Sequence, residues 1–228
     1  MALDFPKRLF DGYRSFRRAR LPVEQARFQA LAESGQRPEI MVIGCCDSRV
    51  SPEVIFDAQP GELFVSRNVA NLVPPYAPDG QALGVLAAVE FAILALEVKH
   101  IVVLGHARCG GIRSFALNSA PLSAGNFIGR WVDLIAPAVE AVGPRDDRPL
   151  DDYLARLERA SLVQTLENLA TFPFVASRVQ AGTLMLHAAH FDVANGLLAI
   201  YDPAARTFLL ADAAWHATSS ASPGCASA

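Results

Sequence analysis

Four short apolar runs, spread over most of the chain, constrain the fold more than any other feature of the sequence. They lie at 40–44 (IMVIG), 63–65 (LFV), 101–104 (IVVL) and 183–188 (TLMLHA). Runs of this length are typical of buried strands. Helical patterns at 81–96 and 151–171 separate the later runs, so we predict an α/β fold with a mainly parallel β-sheet of about four strands.

Near the C-terminus, the sequence predicts a reversal of chain direction between two strands. Asn195-Gly196 is typical of a two-residue hairpin turn, and the apolar run 197–201 follows it. A strand that returns through a tight turn pairs antiparallel with the strand before it. We therefore expect one antiparallel edge strand, with helices flanking the sheet. The segment 118–152, which contains prolines and glycines, is predicted to be irregular.

Both ends of the chain are expected to lie outside this α/β body. Residues 1–34 begin with a basic amphipathic pattern and predict an N-terminal helical arm that packs on the body or on a partner subunit. A targeting peptide is the alternative interpretation of the first part of this arm. Residues 216–228 are small and polar, and we expect a disordered tail there. The whole chain, 1–228, is predicted to form a single domain.

The composition argues against several classes of function. The net charge of −3 is unlike the basic balance of nucleic-acid-binding proteins. The most apolar segment, 82–96, contains Glu90 and is shorter than the roughly 18 residues that a membrane span needs. The four cysteines include an adjacent pair and follow no secretory signal, so they make a poor disulfide framework. We expect a cytoplasmic protein whose cysteines serve a metal or a reaction.

Two of the predicted strands end in residues that bind metals. Cys45 follows the first run, and His106 and Cys109 follow the third run in the sequence GHARCGG. Sites gather beyond the carboxyl ends of parallel strands, so these three side chains can meet if the two strands are neighbours. Two thiolates and one imidazole are typical of a catalytic zinc site with an open fourth position. Cysteines that only pack in a core are the alternative.

Asp47 and Arg49 come directly after the first of these cysteines. Two residues apart in a loop, they can form an ion pair in which the guanidinium fixes the carboxylate. A surface salt bridge without a catalytic role is the alternative interpretation. Their position beside a potential metal ligand favours a part in the site.

Together, the motifs CxDSR at 45–49 and HxxCGG at 106–111 resemble those of the β-class carbonic anhydrases. The similarity extends through PGELFVSRNVANLVPPY at 60–76 and IVVLGHARCGGI at 101–112, and more weakly towards the C-terminus. The resemblance covers nearly the whole chain, and the two motifs with this intervening sequence are highly specific.

This resemblance implies a zinc enzyme with one Zn²⁺ per chain. Cys45, His106 and Cys109 match the metal ligands of the family. Asp47 and Arg49 match its catalytic pair. The neighbouring Cys46 falls at a variable position of the motif and is expected to pack elsewhere.

The resemblance also implies residues that bind the substrate. Gln36 stands where plant-type members have a glutamine that contacts the substrate. Phe64 and Phe91 match two positions of an apolar pocket, with Val69 beside them. Plant-type members have Tyr at the second position, so Phe91 keeps the ring and lacks the hydroxyl. The backbone N–H of Gly110 is a candidate donor to bicarbonate.

From these residues we expect reversible hydration of CO₂ to bicarbonate and a proton, by a zinc-bound hydroxide that Asp47 orients. Two subunits build each site in the family, so we expect a homodimer at least, with a tetramer also open. Hydrolysis of CS₂ or COS on the same fold and metal is the close alternative. A non-catalytic zinc or thiol module that uses Cys45 and Cys46 is the remaining one.

Some bacterial members of this family close the site by letting the aspartate bind the metal. Bicarbonate promotes that state at a pocket with a Trp shortly before the first ligand. Here the position of the Trp is occupied by Val42, although Arg67 matches the arginine of the pocket. We therefore predict an open site, with water as the fourth ligand at neutral pH.

Overall fold

The computed structural model describes residues 4–78 and 83–213, which contain one six-stranded sheet. Its strands are β1 (Ile40–Cys45), β2 (Leu63–Asn68), β3 (His100–His106), β4 (Met185–Phe191), β5 (Leu198–Asp202) and β6 (Thr207–Leu210). They lie in the order β2-β1-β3-β4-β5-β6. Neighbours from β2 to β4 are parallel, and the last two pairs are antiparallel. The predicted mainly parallel sheet with an antiparallel edge is confirmed.

The edge beyond β4 differs in detail from the prediction. Phe191 pairs with Leu198, and the Asp192 N–H donates to the Leu197 carbonyl, so the hairpin loop consists of residues 193–196. The predicted two-residue turn at Asn195-Gly196 is therefore wrong. The strand β6 was not predicted, because four residues are too few for a periodic pattern to reveal.

Helices flank the sheet. Their bounds are α1 (Lys7–Ser15), α2 (Leu21–Ser34), α3 (Pro52–Ile55), α4 (Leu83–Glu90), α5 (Gly110–Ala116), α6 (Phe127–Val132), α7 (Ala136–Val142), α8 (Leu150–Ala170) and α9 (Pro173–Gln180). Wider, π-type turns continue α1 through Phe16–Arg20 and α4 through Phe91–Ala95. Within the described ranges, no helix is long and apolar enough to cross a membrane.

One sequence prediction needs correction, and two others concern residues outside the described ranges. The segment 118–152 is not irregular throughout, because it contains α6 and α7. Short helices of this kind are stabilised by packing and leave a weak local pattern. The first residues of the predicted helix 81–96 and the predicted tail 216–228 lie outside the described residues.

The central strands β1 and β3 are almost wholly buried. On one face they pack against α8, where Leu162 and Leu169 contribute to a core with Met41, Ile43 and Val103. Parallel strands that are covered on both faces have continuous apolar sequences, which accounts for the runs IMVIG and IVVL.

The predicted N-terminal arm is helical, and it packs only lightly on the rest of the described chain. Its contacts come from α2, where Arg27 donates to the Pro60 carbonyl at 2.7 Å and Leu31 lies against Gly61. No residue of α1, of the turn that follows it or of α2 is buried. Large apolar side chains near its start are more than two-fifths exposed, namely Phe5, Leu9, Phe10 and Tyr13. An apolar helical face of this size is typical of a contact surface.

We expect Leu162→Ala to lower the free energy of unfolding by about 2–5 kcal/mol, because it empties a fully buried site against the sheet. The matched control is Leu122→Ala, at a side chain that is 86% exposed, and its effect should stay within about 0.5 kcal/mol. Urea unfolding at one fixed protein concentration measures both. Equal losses would contradict the placement of Leu162 in the core.

Candidate metal centre

The strands β1 and β3 are parallel neighbours, and both end at the same edge of the sheet. Cys45 is the last residue of β1 and His106 the last residue of β3, while Cys109 directly precedes α5. Their candidate ligand atoms all lie within 4.8 Å of one another, and all three residues are buried. The structure therefore brings together the three residues that the sequence predicted as ligands.

The ring of His106 is oriented as a metal ligand would be. Its Nδ1 lies 2.9 Å from the Ala107 carbonyl, and this bond fixes Nδ1 as the donor. The other nitrogen, Nε2, is buried and has no hydrogen-bond partner. A buried polar atom without a partner costs free energy, and a bound metal would supply the missing interaction. The set of two sulfurs and one such nitrogen fits Zn²⁺.

The two thiols are close enough to share a proton, with their Sγ atoms 4.0 Å apart. Hydrogen bonding with Cys109 lowers the pKa of Cys45 to about 4, and the same contact raises the pKa of Cys109. Burial lowers the pKa of His106, but its contacts with Cys45 and with the Ala107 carbonyl raise it more. The group therefore favours a thiolate, which is the form of cysteine that binds metals.

The backbone on both sides of the group adopts conformations that are rare for residues with a side chain. Arg108, between two of the candidate ligands, has φ of 59°, and Ala70 has φ of 64°. The Cys45 sulfur accepts the Asp47 N–H at 3.4 Å, and the backbone N–H groups of Asp47 and Ala70 both lower the pKa of Cys45. These N–H groups stabilise the negative charge on the sulfur.

The Asp47 carboxylate is held at the rim of the group by Arg49. Arg49 Nε donates to Oδ1 at 2.9 Å, and its Nη2 donates to Oδ2 at 2.7 Å. This bidentate pair holds the pKa of Asp47 well below its usual range. Asp47 Oδ2 lies 3.8 Å from His106 Nε2, and Arg49 also donates to the Arg108 carbonyl at 3.1 Å. The ion pair predicted from the sequence thus connects both motifs.

Arg67, which matches the arginine of the family's bicarbonate pocket, contacts the loop after β1. Its guanidinium donates to the carbonyls of Cys45, Asp47 and Val50 at 2.8, 2.8 and 2.6 Å. It therefore holds the loop after β1 in place. Val42, at the position of the missing Trp, is buried in the sheet.

The predicted substrate residues fall into two sets within one chain. Val69 packs against the cluster that contains both buried cysteines, and Gly110 opens α5 directly after Cys109. Phe64 and Phe91 contact each other, with ring centroids 5.9 Å apart.

The second set lies away from the metal group of the same chain. Phe64 pairs with Met41, four positions before the pair of Cys45 with Asn68, which is roughly 13 Å along the strand. Gln36 is exposed in the loop before β1, at the opposite end of that strand. A single chain therefore does not bring these residues to its own metal group.

Two residues behind the metal group, Glu158 and His190, are not among the residues that the sequence predicts for the site. Glu158 Oε1 accepts the Cys109 N–H at 3.0 Å, and its Oε2 lies 3.1 Å from His190 Nε2. His190 is buried as well. The sequence does contain a pattern that indicates burial of Glu158. It lies four residues from Leu154 and four from Leu162, so all three share one face of the helix, and that face is buried.

The chain is similar to known carbonic anhydrases. The family model described as carbonic anhydrase matches residues 40–198. Beta carbonic anhydrase 3 of Arabidopsis thaliana is 35% identical over 204 residues, which are 88% of this chain and 78% of the plant protein. The structure of the β-carbonic anhydrase CcaA matches with a TM-score of 0.82 and 31% identity, over 90% of this chain and 98% of its own.

Structures of two tetrameric β-carbonic anhydrases from the ascomycete Sordaria macrospora are also similar. That match has a TM-score of 0.67 at 27% identity, and it covers 85% of this chain and 91% of the fungal chain. The chain therefore belongs to the β-carbonic anhydrase family, and it is an enzyme of that family.

We expect Gly111→Ala to disturb the metal group. A Cβ at this position would lie 2.8 Å from Val69 Cγ1 and 3.0 Å from Ala70 Cβ, so the turn beside Cys45 must shift. The free energy of unfolding should fall by about 1–3 kcal/mol, and zinc should be lost more readily to a chelator. Gly110→Ala is the control, because its Cβ meets nothing within 4 Å. Equal behaviour of the two variants in urea unfolding and chelator competition would refute this reading of the contact.

Proposed function

We propose that this enzyme catalyses the reversible hydration of CO₂ to bicarbonate and a proton, with one Zn²⁺ per chain held by Cys45, His106 and Cys109. The observation that carries the proposal is the buried, unpartnered Nε2 of His106 beside two thiols 4.0 Å apart. Bound zinc would supply a water of lowered pKa as the nucleophile. Family membership supports the reaction.

In this proposal Asp47 orients the nucleophile. Its carboxylate lies at the rim of the ligand group and accepts a hydrogen bond from the attacking water, so that a lone pair faces CO₂. Arg49 holds both carboxylate oxygens and keeps them from rotating. The same two bonds support an open fourth position, because they keep Asp47 away from the metal.

The substrate pocket is proposed to form between two subunits. CO₂ is small and apolar, and the paired rings of Phe64 and Phe91 offer a surface of the same character. Phe91 is 48% exposed in the single chain, so its ring is free to face a partner's metal group. Gln36, on the same side of the subunit, would donate its amide N–H to the oxygen that gains charge. Val69 and Gly110 would belong to the subunit that holds the metal.

A homodimer is therefore the smallest unit that we propose, with the helical arm as part of its contact surface. The exposed apolar face near Leu9 and Tyr13 supports this assembly. A tetramer is an extension of the same idea, supported by the tetrameric relatives from Sordaria macrospora. The free thiols of Cys45, Cys46 and Cys109 support a reducing compartment such as the cytoplasm.

Stopped-flow hydration of CO₂, measured together with zinc content, tests the reaction. We expect Asp47→Ala to keep about one zinc per chain, because the three ligands remain. Its hydration rate should fall by about 10²-fold or more, because the nucleophile is no longer oriented. The control is Asp151→Ala in the exposed first turn of α8, which should hydrate CO₂ like the wild type.

A zinc-loaded wild type that does not hydrate CO₂ would contradict the proposal. Turnover of CS₂ or COS in its place would identify a hydrolase on this fold, and zinc retention with neither activity would indicate a non-catalytic module. A zinc-loaded structure at neutral pH with Asp47 on the metal would refute the open site.

We expect Leu9→Glu to weaken the assembly, because it places a charge in an apolar face that is otherwise covered by a partner. Sedimentation velocity should show a lower mass, and hydration per bound zinc should fall with it. The control is Arg18→Glu, which introduces the same side chain at an exposed basic position of the arm. An unchanged mass for Leu9→Glu would show that this face is not part of the interface.

A further inference from the structure

The space behind the metal group holds a buried carboxylate and a buried imidazole that the proposed reaction does not use. Glu158 and His190 are each only 5% exposed. We propose that this pair positions Cys109 as a metal ligand, an inference that rests on the metal site of the proposed function.

The contact with Cys109 is direct. Glu158 Oε1 accepts the backbone N–H of Cys109 at 3.0 Å. Buried backbone N–H groups require a partner, and here a side chain from α8 provides it. Because the N–H and the Sγ belong to the same residue, a fixed N–H restrains the direction in which the thiol points.

The carboxylate is itself held from the sheet. Its second oxygen lies 3.1 Å from His190 Nε2. His190 is on β4, directly opposite Gly105 of β3, the residue before the ligand His106. The pair therefore connects α8 and β4 to the turn that carries two of the candidate ligands.

The helix can reach this turn because Gly105 leaves room for it. A Cβ at Gly105 would lie 3.0 Å from both terminal carbons of Leu162, so α8 and β3 approach each other closely there. Glu158 is one turn before Leu162 on the same face of α8. The close approach brings its carboxylate to the Cys109 N–H.

A purely structural role explains these features less well. Burying a carboxylate is costly unless it is paired and hydrogen-bonded, and the other buried residues of α8, such as Leu154, Leu157 and Ser161, carry no charge. Groups that hold metal ligands from behind commonly change metal affinity by about 10–100-fold when they are removed. The proposal therefore predicts an effect on the metal that exceeds any effect on folding.

The test compares zinc affinity and ligand geometry in three variants of the full chain. Glu158→Met keeps the length of the side chain and removes the acceptor, and Glu158→Gln retains an oxygen for the Cys109 N–H. Thr165→Val is the matched control, since Thr165 is buried on the same helix and donates only to the Ser161 carbonyl within α8. Competition with a chelator gives the zinc affinity, and Co²⁺ substitution gives the thiolate-to-metal absorption band.

We expect Glu158→Met to bind zinc about 10–100-fold more weakly than the wild type and to shift the Co²⁺ band. Glu158→Gln should restore most of the affinity, and Thr165→Val should match the wild type in both measurements. Should Glu158→Met fail to fold, His190→Leu, which removes the donor to Glu158, takes its place, and a shifted Co²⁺ band with weaker zinc binding is then expected.

Unchanged zinc affinity and an unchanged Co²⁺ band in folded Glu158→Met, or in His190→Leu, would overturn the proposal. An equal loss of affinity in Thr165→Val would overturn it as well, because the effect would then come from the packing of α8 in general. These measurements do not depend on CO₂ turnover. A wild type that binds zinc but does not hydrate CO₂ would therefore refute the proposed function and leave this inference standing.

Discussion

The parallel pairing of β1 with β3 is the constraint on which the rest of the site depends. The register places Gly44 opposite Leu104, so the ligands Cys45 and His106 project from the same edge of the sheet. A slip of one residue would displace one of these ligands along the sheet edge by about 3.3 Å relative to the other and separate them. The close contact of Leu162 with Gly105 helps to set that register, because β3 offers the space of a missing side chain at that point.

Around this constraint, charged side chains satisfy the backbone on both sides of the metal group. In front, Arg67 donates to three carbonyls of the loop after β1, and Arg49 links that loop to the Arg108 carbonyl. Behind, Glu158 accepts the Cys109 N–H. Loops near a sheet edge carry many polar groups that must find partners. Arg49 and Glu158 are themselves held, by Asp47 and by His190, so these bonds restrain the loops that carry the proposed ligands.

Much of the fold and part of the site could be predicted because their signals are local. Each of these signals lies within a few residues of sequence: the apolar runs of the strands, the spacing of His106 and Cys109, and the pair Asp47 and Arg49. The strand β6 and the helix α6 are too short to leave such a signal, so they were missed. The bond between Glu158 and Cys109 joins residues 49 apart, and only the packing of α8 on the sheet brings them together.

The two sets of proposed site residues lie at opposite ends of the same strands, and this has a genetic consequence. If each site combines Cys45 of one subunit with Phe64 of the other, then the subunits of a dimer share their functional residues crosswise. A chain defective only at its metal end and a chain defective only at its aromatic end would each be inactive alone. Co-expressed, they would form mixed dimers in which one of the two sites is wholly intact. Two damaged alleles would thus complement each other within a single protein.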